Sequence, residues 1–193
     1  FTVPFSITHM PARNIILYAK WNSIGTWTPV KFISNASEFE HFARSVKHLN
    51  GYKGLTVFLT KNIDMGNITG FEPIDDFCGT FDGMGHSLSN LIIKSQKRRV
   101  GVFGVSEEGA TVRNLGLGSS CRIEYIEGNN NSSTRRKQRN TNEDSYDREE
   151  SVHIGSVVGL CRSSETNPCV VENVISGAEI AVTGSAAEEL SVG

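Results

Sequence analysis

Calcium binding or acid–base catalysis would need carboxylates held close together, and one group of residues invites that comparison: Asp64, Asp75, Asp76 and Asp82. Calcium loops place their oxygen ligands at alternate positions in a DxDxDG frame, whereas the spacing here is irregular. Asp82 is followed by glycine, and an Asp-Gly pair is typical of a turn. We therefore expect a turn at Asp82-Gly83, and neither a calcium site nor a pair of catalytic carboxylates among the four aspartates.

Cleavage of an acidic polysaccharide would instead need a base and a charge-neutralising cation on one face of the protein. The candidates for those roles are Lys94, Arg98, Arg99 and Arg113. No convincing acidic cluster accompanies them, and the two helix histidines, His41 and His48, lack a third ligand nearby for a metal. The sequence therefore predicts no catalytic residue, no cofactor and no metal ligand.

Asparagine recurs in the frame apolar-x-Asn-apolar. Asn90 occurs in LSNLII, Asn114 in VRNLGL and Asn173 in VENVI, and the first two are 114 − 90 = 24 positions apart. A side-chain amide both donates and accepts hydrogen bonds, and asparagine tolerates the left-handed backbone of sharp turns. We expect Asn90, Asn114 and Asn173 to lie in register as a structural ladder on one edge of a repeating fold.

A glycine motif also recurs, and it precedes an asparagine motif each time. Residues 100–105 read VGVFGV and residues 154–160 read IGSVVGL. Brief β-branched runs separated by glycine or asparagine indicate short strands joined by tight turns. A period near 24 predicts coils of a parallel β-solenoid, stacked about 4.8 Å apart, in which neighbouring coils bury each other's apolar faces.

One helix is predicted, at residues 35–49. Asn35 and Glu38 fit a capping-box frame, and Asn50-Gly51 supplies a stop. Its apolar residues fall on one face at helical spacing: Phe39, Phe42, Ala43 and Val46. Because the open end of a solenoid exposes strand edges, we expect this helix to cap the first coil.

The residues at 81–91 (FDGMGHSLSNL), 101–104 (GVFG) and 112–117 (VRNLGL) together resemble the GLUG-type repeats of bacterial and protist surface proteins. Those repeats are similar to filamentous-haemagglutinin and pectate-lyase-like right-handed β-helices. The resemblance covers residues 33–184 and implies an all-β, right-handed parallel β-helix. Its motifs carry no catalytic residues.

A second resemblance concerns residues 1–21. Met10-Pro11-Ala12 and the run LYAKW at 17–21 look like the end of a Listeria–Bacteroides repeat, a β-grasp-like module similar to the internalin B-repeats. We expect a partial repeat at 1–21, a linker at 22–32 and the β-helix at 33–193. The polar, charge-rich residues 128–150 are predicted to be a disordered insertion between coils.

Composition adds few restrictions. The chain has 193 residues with a net charge of −2, which argues against a general nucleic-acid partner. Its four cysteines, Cys78, Cys121, Cys161 and Cys169, form no CxxC pair and allow three complete disulfide pairings. The sequence contains no evident signal peptide or membrane span, and we expect it to be a segment of a longer protein.

These observations predict a non-catalytic structural or adhesive segment of an extracellular or cell-surface protein. The expected partner is a host-cell or extracellular-matrix protein or glycan, with no nucleic acid and no direct membrane insertion. The alternative is a carbohydrate-active β-helix, either a polysaccharide lyase or a glycoside hydrolase, or a glycan-binding module.

Overall fold

The computed structural model describes residues 30–128 and 151–184, which consist mostly of β-strand with one short α-helix. This confirms the all-β class. The repeat predicted at 1–21 and all but the first residue of the predicted insertion at 128–150 lie outside the described residues, and the domain boundaries stay predictions.

The described strands are short. In chain order they are β1 (Val30–Ile33), β2 (Thr56–Leu59), β3 (Ile63–Asp64), β4 (Thr80–Asp82), β5 (Ser87–Ser89), β6 (Ile92–Ser95), β7 (Arg99–Val100), β8 (Phe103–Ser106), β9 (Thr111–Arg113), β10 (Gly116–Leu117), β11 (Arg122–Ile126), β12 (His153–Ile154), β13 (Val158–Cys161), β14 (Val170–Glu172), β15 (Ile175–Ser176) and β16 (Glu179–Thr183). The helix α1 spans Ala36–Ser45 and lies between β1 and β2.

Every pairing between these strands is parallel. The sheet orders are β1-β2-β4-β9-β14, β15-β10-β5-β3, β16-β11-β6, β12-β7 and β13-β8. From β4 onwards the chain visits these sheets in one cyclic order, and it returns to each sheet one strand further along. The two glycine motifs therefore lie side by side, with Val100 opposite Ile154 and Phe103 opposite Val158.

The distance along the chain between paired strands is not constant. Thr56 pairs with Thr80, an offset of 80 − 56 = 24, whereas Thr80 pairs with Thr111, an offset of 111 − 80 = 31. Ser87 pairs with Gly116, an offset of 116 − 87 = 29. The single period of 24 suggested by the sequence therefore holds for only part of the structure, because the connections between strands differ in length.

Side chains that point between the sheets form one apolar core. Phe81 and Val112 occupy paired positions on β4 and β9, while Ile93 and Ile123 do so on β6 and β11, and all four are fully buried. Strand alternation sends the intervening residues outwards. Residues that pair across neighbouring strands are thus both apolar and both point into the core, so the side chains of each strand help to bury those of the next.

Helix α1 begins at the N-cap predicted from the sequence. Asn35 Oδ1 accepts a hydrogen bond from the Glu38 N–H at 2.9 Å, and Glu38 Oε2 accepts one from the Ser34 N–H at 2.7 Å. The α-helix ends earlier than the predicted residue 49 and continues as a 3-10 turn over Val46–His48. Phe39 and Phe42 are fully buried and pack against Phe81, so the helix covers the core beside β4.

Candidate functional site

The best-defined polar feature is a ladder of side chains at one corner of the fold. Asn114 follows β9 and Asn173 follows β14, and these strands pair with Arg113 opposite Glu172. Asn173 Nδ2 donates to Asn114 Oδ1 at 3.2 Å, and Asn114 Nδ2 donates to Asp82 Oδ1 at 2.9 Å. The structure therefore brings Asn114 and Asn173 together and adds Asp82 beneath them.

The ladder forms where the backbone must turn. The φ angles of Asn114 and Asn173 are 53° and 50°, in the left-handed region that asparagine tolerates better than most residues. Each asparagine therefore has two roles. Its side-chain amide links neighbouring strands, and its tolerance of a left-handed backbone permits the turn. We name the Asp82, Asn114 and Asn173 set the corner ladder.

Asp82 anchors the corner ladder and is 3% exposed. Its Oδ1 atom accepts a second hydrogen bond from the Met84 N–H at 2.9 Å, and its Oδ2 atom accepts one from Arg113 Nε at 2.9 Å. Burial alone would raise the pKa of Asp82, but hydrogen bonds from Asn114, Met84 and Arg113 outweigh it and lower the pKa below its ordinary value. The carboxylate is therefore ionised and fully committed to structure.

Asn90 does not join this ladder, which corrects the expectation that all three asparagines lie in register. Leu88 pairs with Leu117, so Asn90 lies beside residue 119 rather than beside Asn114. Its Nδ2 atom donates to Asp64 Oδ1 at 2.8 Å instead, and its N–H donates to Ser120 Oγ at 2.9 Å. The apolar-x-Asn-apolar frame occurs at two different corners, and an offset of 24 does not match the offsets of 29 and 31 found there.

The second corner repeats the chemistry of the first. Asp64 Oδ1 accepts hydrogen bonds from Asn90 Nδ2 and from the Gly66 N–H, as Asp82 does from Asn114 and Met84. The hydrogen bond from Asn90 is the main cause that lowers the pKa of Asp64. Sequence reasoning placed Asp82 in a turn, whereas Asp64 and Asp82 are the last residues of β3 and β4. It also missed the contact of each aspartate with an asparagine that follows a neighbouring strand. The sequence signal that could have indicated these sites is an aspartate two residues before a turn residue, because its carboxylate can accept a hydrogen bond from the N–H of that residue.

The four cations considered for polysaccharide cleavage are distributed over three sheets. Lys94 lies on β6, Arg113 lies on β9, Arg99 begins β7 and Arg98 precedes it. Lys94 Nζ lies 3.5 Å from Glu124 Oε2, while Arg113 contacts Asp82 and also lies 3.7 Å from Glu172 Oε1. Lys94 and Arg113 are therefore each held by a carboxylate within the fold.

A charged row crosses the outer face of the β6-β11-β16 sheet. Glu124 on β11 lies between Lys94 on β6 and Thr183 on β16, whose hydroxyl donates to Glu124 Oε1. That hydroxyl is the main cause of the lowered pKa of Glu124. Arg122 contacts Glu179 on the next strand at 2.5 Å. The row balances opposite charges across the sheet, which favours strand pairing.

A surface cleft of about 470 Å³ lies between α1 and residues 70–76. Lys97 Nζ at its edge contacts Asp75 Oδ2 at 3.0 Å and Glu72 Oε2 at 3.3 Å. Burial would lower the pKa of Lys97, but these two carboxylates raise it above its ordinary value. Within residues 30–128 and 151–184, no group of three or more His, Cys, Asp or Glu side chains is arranged to hold a metal ion.

Two of the four cysteines are joined. Cys161 at the end of β13 forms a disulfide with Cys169, across the turn that leads to β14. Cys121 is a buried free thiol, while Cys78 is a partly buried one whose Sγ donates to the Asn50 carbonyl oxygen at 3.3 Å. Burial raises the pKa of the Cys78 thiol, so it is a poor nucleophile.

Comparisons with known proteins give one local likeness. A stretch of 49 residues, 25% of the chain, is 43% identical to part of Halomucin from Haloquadratum walsbyi (strain DSM 16790 / HBSQ001). Halomucin is a very much longer protein, and the matched stretch covers less than 1% of its length. No family model matches the chain, and no solved structure matches it. Among the described residues, no helix has the length and apolar character needed to cross a membrane.

Proposed function

We propose that the chain folds as a right-handed parallel β-helix of the GLUG-repeat type and belongs to an extracellular or cell-surface protein. The cyclic return to the same parallel sheets supports the β-helix. The strong preference of parallel crossovers for one hand supports the right-handed sense. The corner ladder is the observation that carries the proposal, because repeated coils would place equivalent amides in register at one corner.

The proposed role is structural or adhesive and not catalytic. A lyase or hydrolase needs polar groups that remain available to a substrate, whereas Asp82, Lys94 and Arg113 are all engaged with neighbouring side chains. Such pairing favours a surface whose charges stabilise stacked strands. A stiff stack of coils would hold neighbouring domains apart and present long lateral faces to a host-cell or extracellular-matrix protein or glycan.

The disulfide supports the proposed location. Structural disulfides persist in oxidising compartments and are rare in the reducing cytosol. Cys161 and Cys169 join the ends of a surface turn, where a reductant would have ready access. The pairing therefore fits a secreted or surface-exposed protein better than a cytosolic one.

The likeness to Halomucin supports the same location. Its name describes a mucin, and the similarity is confined to about a quarter of the present chain. The likeness therefore supports a surface protein as the kind of protein that contains such a segment. It does not indicate which partner this chain binds. The Listeria–Bacteroides-type repeat at residues 1–21, common on extracellular stalks, remains part of the proposal.

A binding screen combined with a degradation assay tests the function. The folded chain is applied to arrays of glycans and matrix proteins, and the same preparation is incubated with acidic and neutral polysaccharides. We expect no soluble oligosaccharide product, and binding of a glycan or protein would define the adhesive partner. Chain denatured in reductant is the control for non-specific binding.

Release of oligosaccharides would contradict the non-catalytic role. Alanine substitutions of Lys94, Arg98, Arg99 and Arg113 would then identify the residues responsible. Binding and turnover both absent would leave the spacer role, which predicts that deletion of residues 33–184 from the parent protein shortens its reach from the cell surface.

A further inference from the structure

An exposed turn follows β3 and carries a sequence motif that the proposed function does not use. Residues 67–69 read Asn-Ile-Thr, which is an acceptor sequence for N-linked glycosylation because its middle residue is not proline. A hydrogen bond from the Ile68 N–H to the Met65 carbonyl oxygen closes the turn at 2.9 Å. Both residues that the motif requires, Asn67 and Thr69, are exposed.

The side-chain amide of Asn67 is accessible to a modifying enzyme. No hydrogen bond ties it to another residue within 30–128 and 151–184. The turn beneath it is firmly held, since Met65 is fully buried and the Gly66 N–H donates to Asp64 Oδ1 at 2.9 Å. A glycan on Asn67 would therefore extend from a fixed point on the surface, and its attachment would break no hydrogen bond of the described residues.

The other acceptor sequence within the described residues is a contrasting case. Residues 35–37 read Asn-Ala-Ser, and Asn35 is the N-cap of α1. Its Oδ1 atom accepts the Glu38 N–H at 2.9 Å, and its Nδ2 atom donates to Ser34 Oγ at 3.4 Å. The amide of Asn35 is thus committed to helix capping, whereas the amide of Asn67 is not.

A surface hollow of about 340 Å³ begins beside Asn67 and offers a glycan a place to lie. Ile68 and Ile92 are among the residues that line it, and Ile92 on β6 is 49% exposed. Asn90 and Ser120 add polar groups to the same lining. A sugar ring has hydroxyl groups as well as apolar C–H faces, so a hollow with polar groups around an exposed isoleucine suits the first sugar of a glycan.

We propose that Asn67 is an N-glycosylation site whose first sugar covers Ile92 in this hollow. The inference rests on the proposed extracellular location, because N-linked glycans are carried by surface loops of secreted proteins. In the transfer step, Asn67 Nδ2 attacks C1 of the first sugar of a lipid-diphosphate-linked oligosaccharide. The bond from Nδ2 to C1 forms, and the bond from C1 to the diphosphate oxygen breaks. The amide gives one proton to a base of the transferase, and the lipid diphosphate leaves.

Site-specific mass spectrometry of the chain made in a eukaryotic secretory host tests the proposal. A glycan-releasing amidase in heavy-oxygen water converts each glycosylated asparagine into a labelled aspartate, so Asn67 and Asn35 are read separately. We expect most Asn67 to be labelled, and occupancy at Asn35 to be at least about two-fold lower because its amide caps a helix. Thr69→Ala should abolish the label at Asn67. The matched control Thr69→Ser keeps the acceptor sequence and should retain the label.

An Asn67 that stays unmodified would overturn the proposal, as would an occupancy no higher than that of Asn35. Both the secreted and the retained chain are analysed, so a chain that is poorly released still gives an answer. The same samples test the extracellular location through the disulfide between Cys161 and Cys169. A formed disulfide with an unmodified Asn67 would contradict the glycosylation site alone. Cys161 and Cys169 left reduced would contradict the location instead.

Thermal unfolding tests the position of the first sugar. An endoglycosidase trims the glycan to the one sugar attached to Asn67, and Asn67→Gln supplies the chain without that sugar. We expect the single sugar to raise the Tm by about 2–4 °C through burial of Ile92. In an Ile92→Ser background the rise should be less than about half as large, because the apolar surface to be buried is gone. An equal rise in the two backgrounds would overturn the placement over Ile92.

Discussion

Asn173 Nδ2 donates a hydrogen bond to Asn114 Oδ1 at 3.2 Å, although the two residues are separated by 59 positions in the chain. Both residues have a left-handed backbone, and the strands that precede them pair residue by residue. The contact thus joins two turns that are distant in the chain. It can form only when both turns are left-handed and the preceding strands, β9 and β14, are paired in the observed register.

Substitutions of Asn114 should separate the two contributions of this residue. Asn114→Gly keeps the left-handed turn but removes the amide, and we expect a loss of about 1–2 kcal/mol in unfolding free energy. Asn114→Ala also strains the turn, which should cost about 1 kcal/mol more. Urea denaturation of both variants measures the difference. Equal stability of the glycine and alanine variants would show that the backbone conformation is unimportant.

The ionised Asp82 should make stability depend on pH. Its pKa in the folded protein lies below the ordinary value of 3.8, so its stabilising effect is complete above that value and is lost as the pH falls through the folded pKa. Asp82→Asn removes a charge-assisted contact with Arg113 and should cost about 1–3 kcal/mol at neutral pH. The cost should shrink in acid. A difference between wild type and variant that stays constant from neutral pH to strongly acidic pH would contradict this origin.

The aromatic face of α1 should contribute strongly to stability. Phe42 is fully buried and contacts Tyr52, Phe77 and Phe81. Phe42→Ala should lower the unfolding free energy by about 3–5 kcal/mol, because it leaves a cavity beneath the helix. The neighbouring His41→Ala is the control, since His41 is exposed on the same helix. Similar chemical-denaturation midpoints for the two variants would exclude the helix as a cover for the core.

Gly83 should be intolerant of any side chain for a reason that differs from that at Gly85. A Cβ on Gly83 would lie 2.4 Å from the Asn114 carbonyl oxygen, whereas Gly85 has open space but a φ of +79°. Gly85→Ala should cost about 1 kcal/mol through backbone strain. Gly83→Ala should cost more, because it forces neighbouring turns apart. Thermal unfolding can rank the pair, and a milder effect at Gly83 would show that the turns separate readily.

Local features of the fold were accessible from the sequence. The N-cap at Asn35 and the buried residues Phe39 and Phe42 follow from short-range patterns that the structure contains. Helical spacing and glycine placement reflect constraints within a few residues. Such constraints remain visible without knowledge of which distant strands meet.

Register between distant strands was less accessible. Asn90 and Asn114 share a sequence frame, yet they lie at different corners and contact Asp64 and Asp82 respectively. Strand pairing depends on the summed lengths of all intervening connections, and no single frame encodes that sum. Asp64 and Asp82 are the last residues of β3 and β4, just before the turns, and their asparagine partners are 26 and 32 positions away (90 − 64 and 114 − 82).

The unequal connections have a consequence for how the molecule can vary. Four residues, 83–86, join β4 to β5, whereas two residues, 114–115, join β9 to β10, and the strands on both sides of these corners still pair in register. Corner length is thus uncoupled from sheet alignment. Corners of unequal length can therefore lie side by side, so a change of length at a corner need not shift the register of the strands on either side of it.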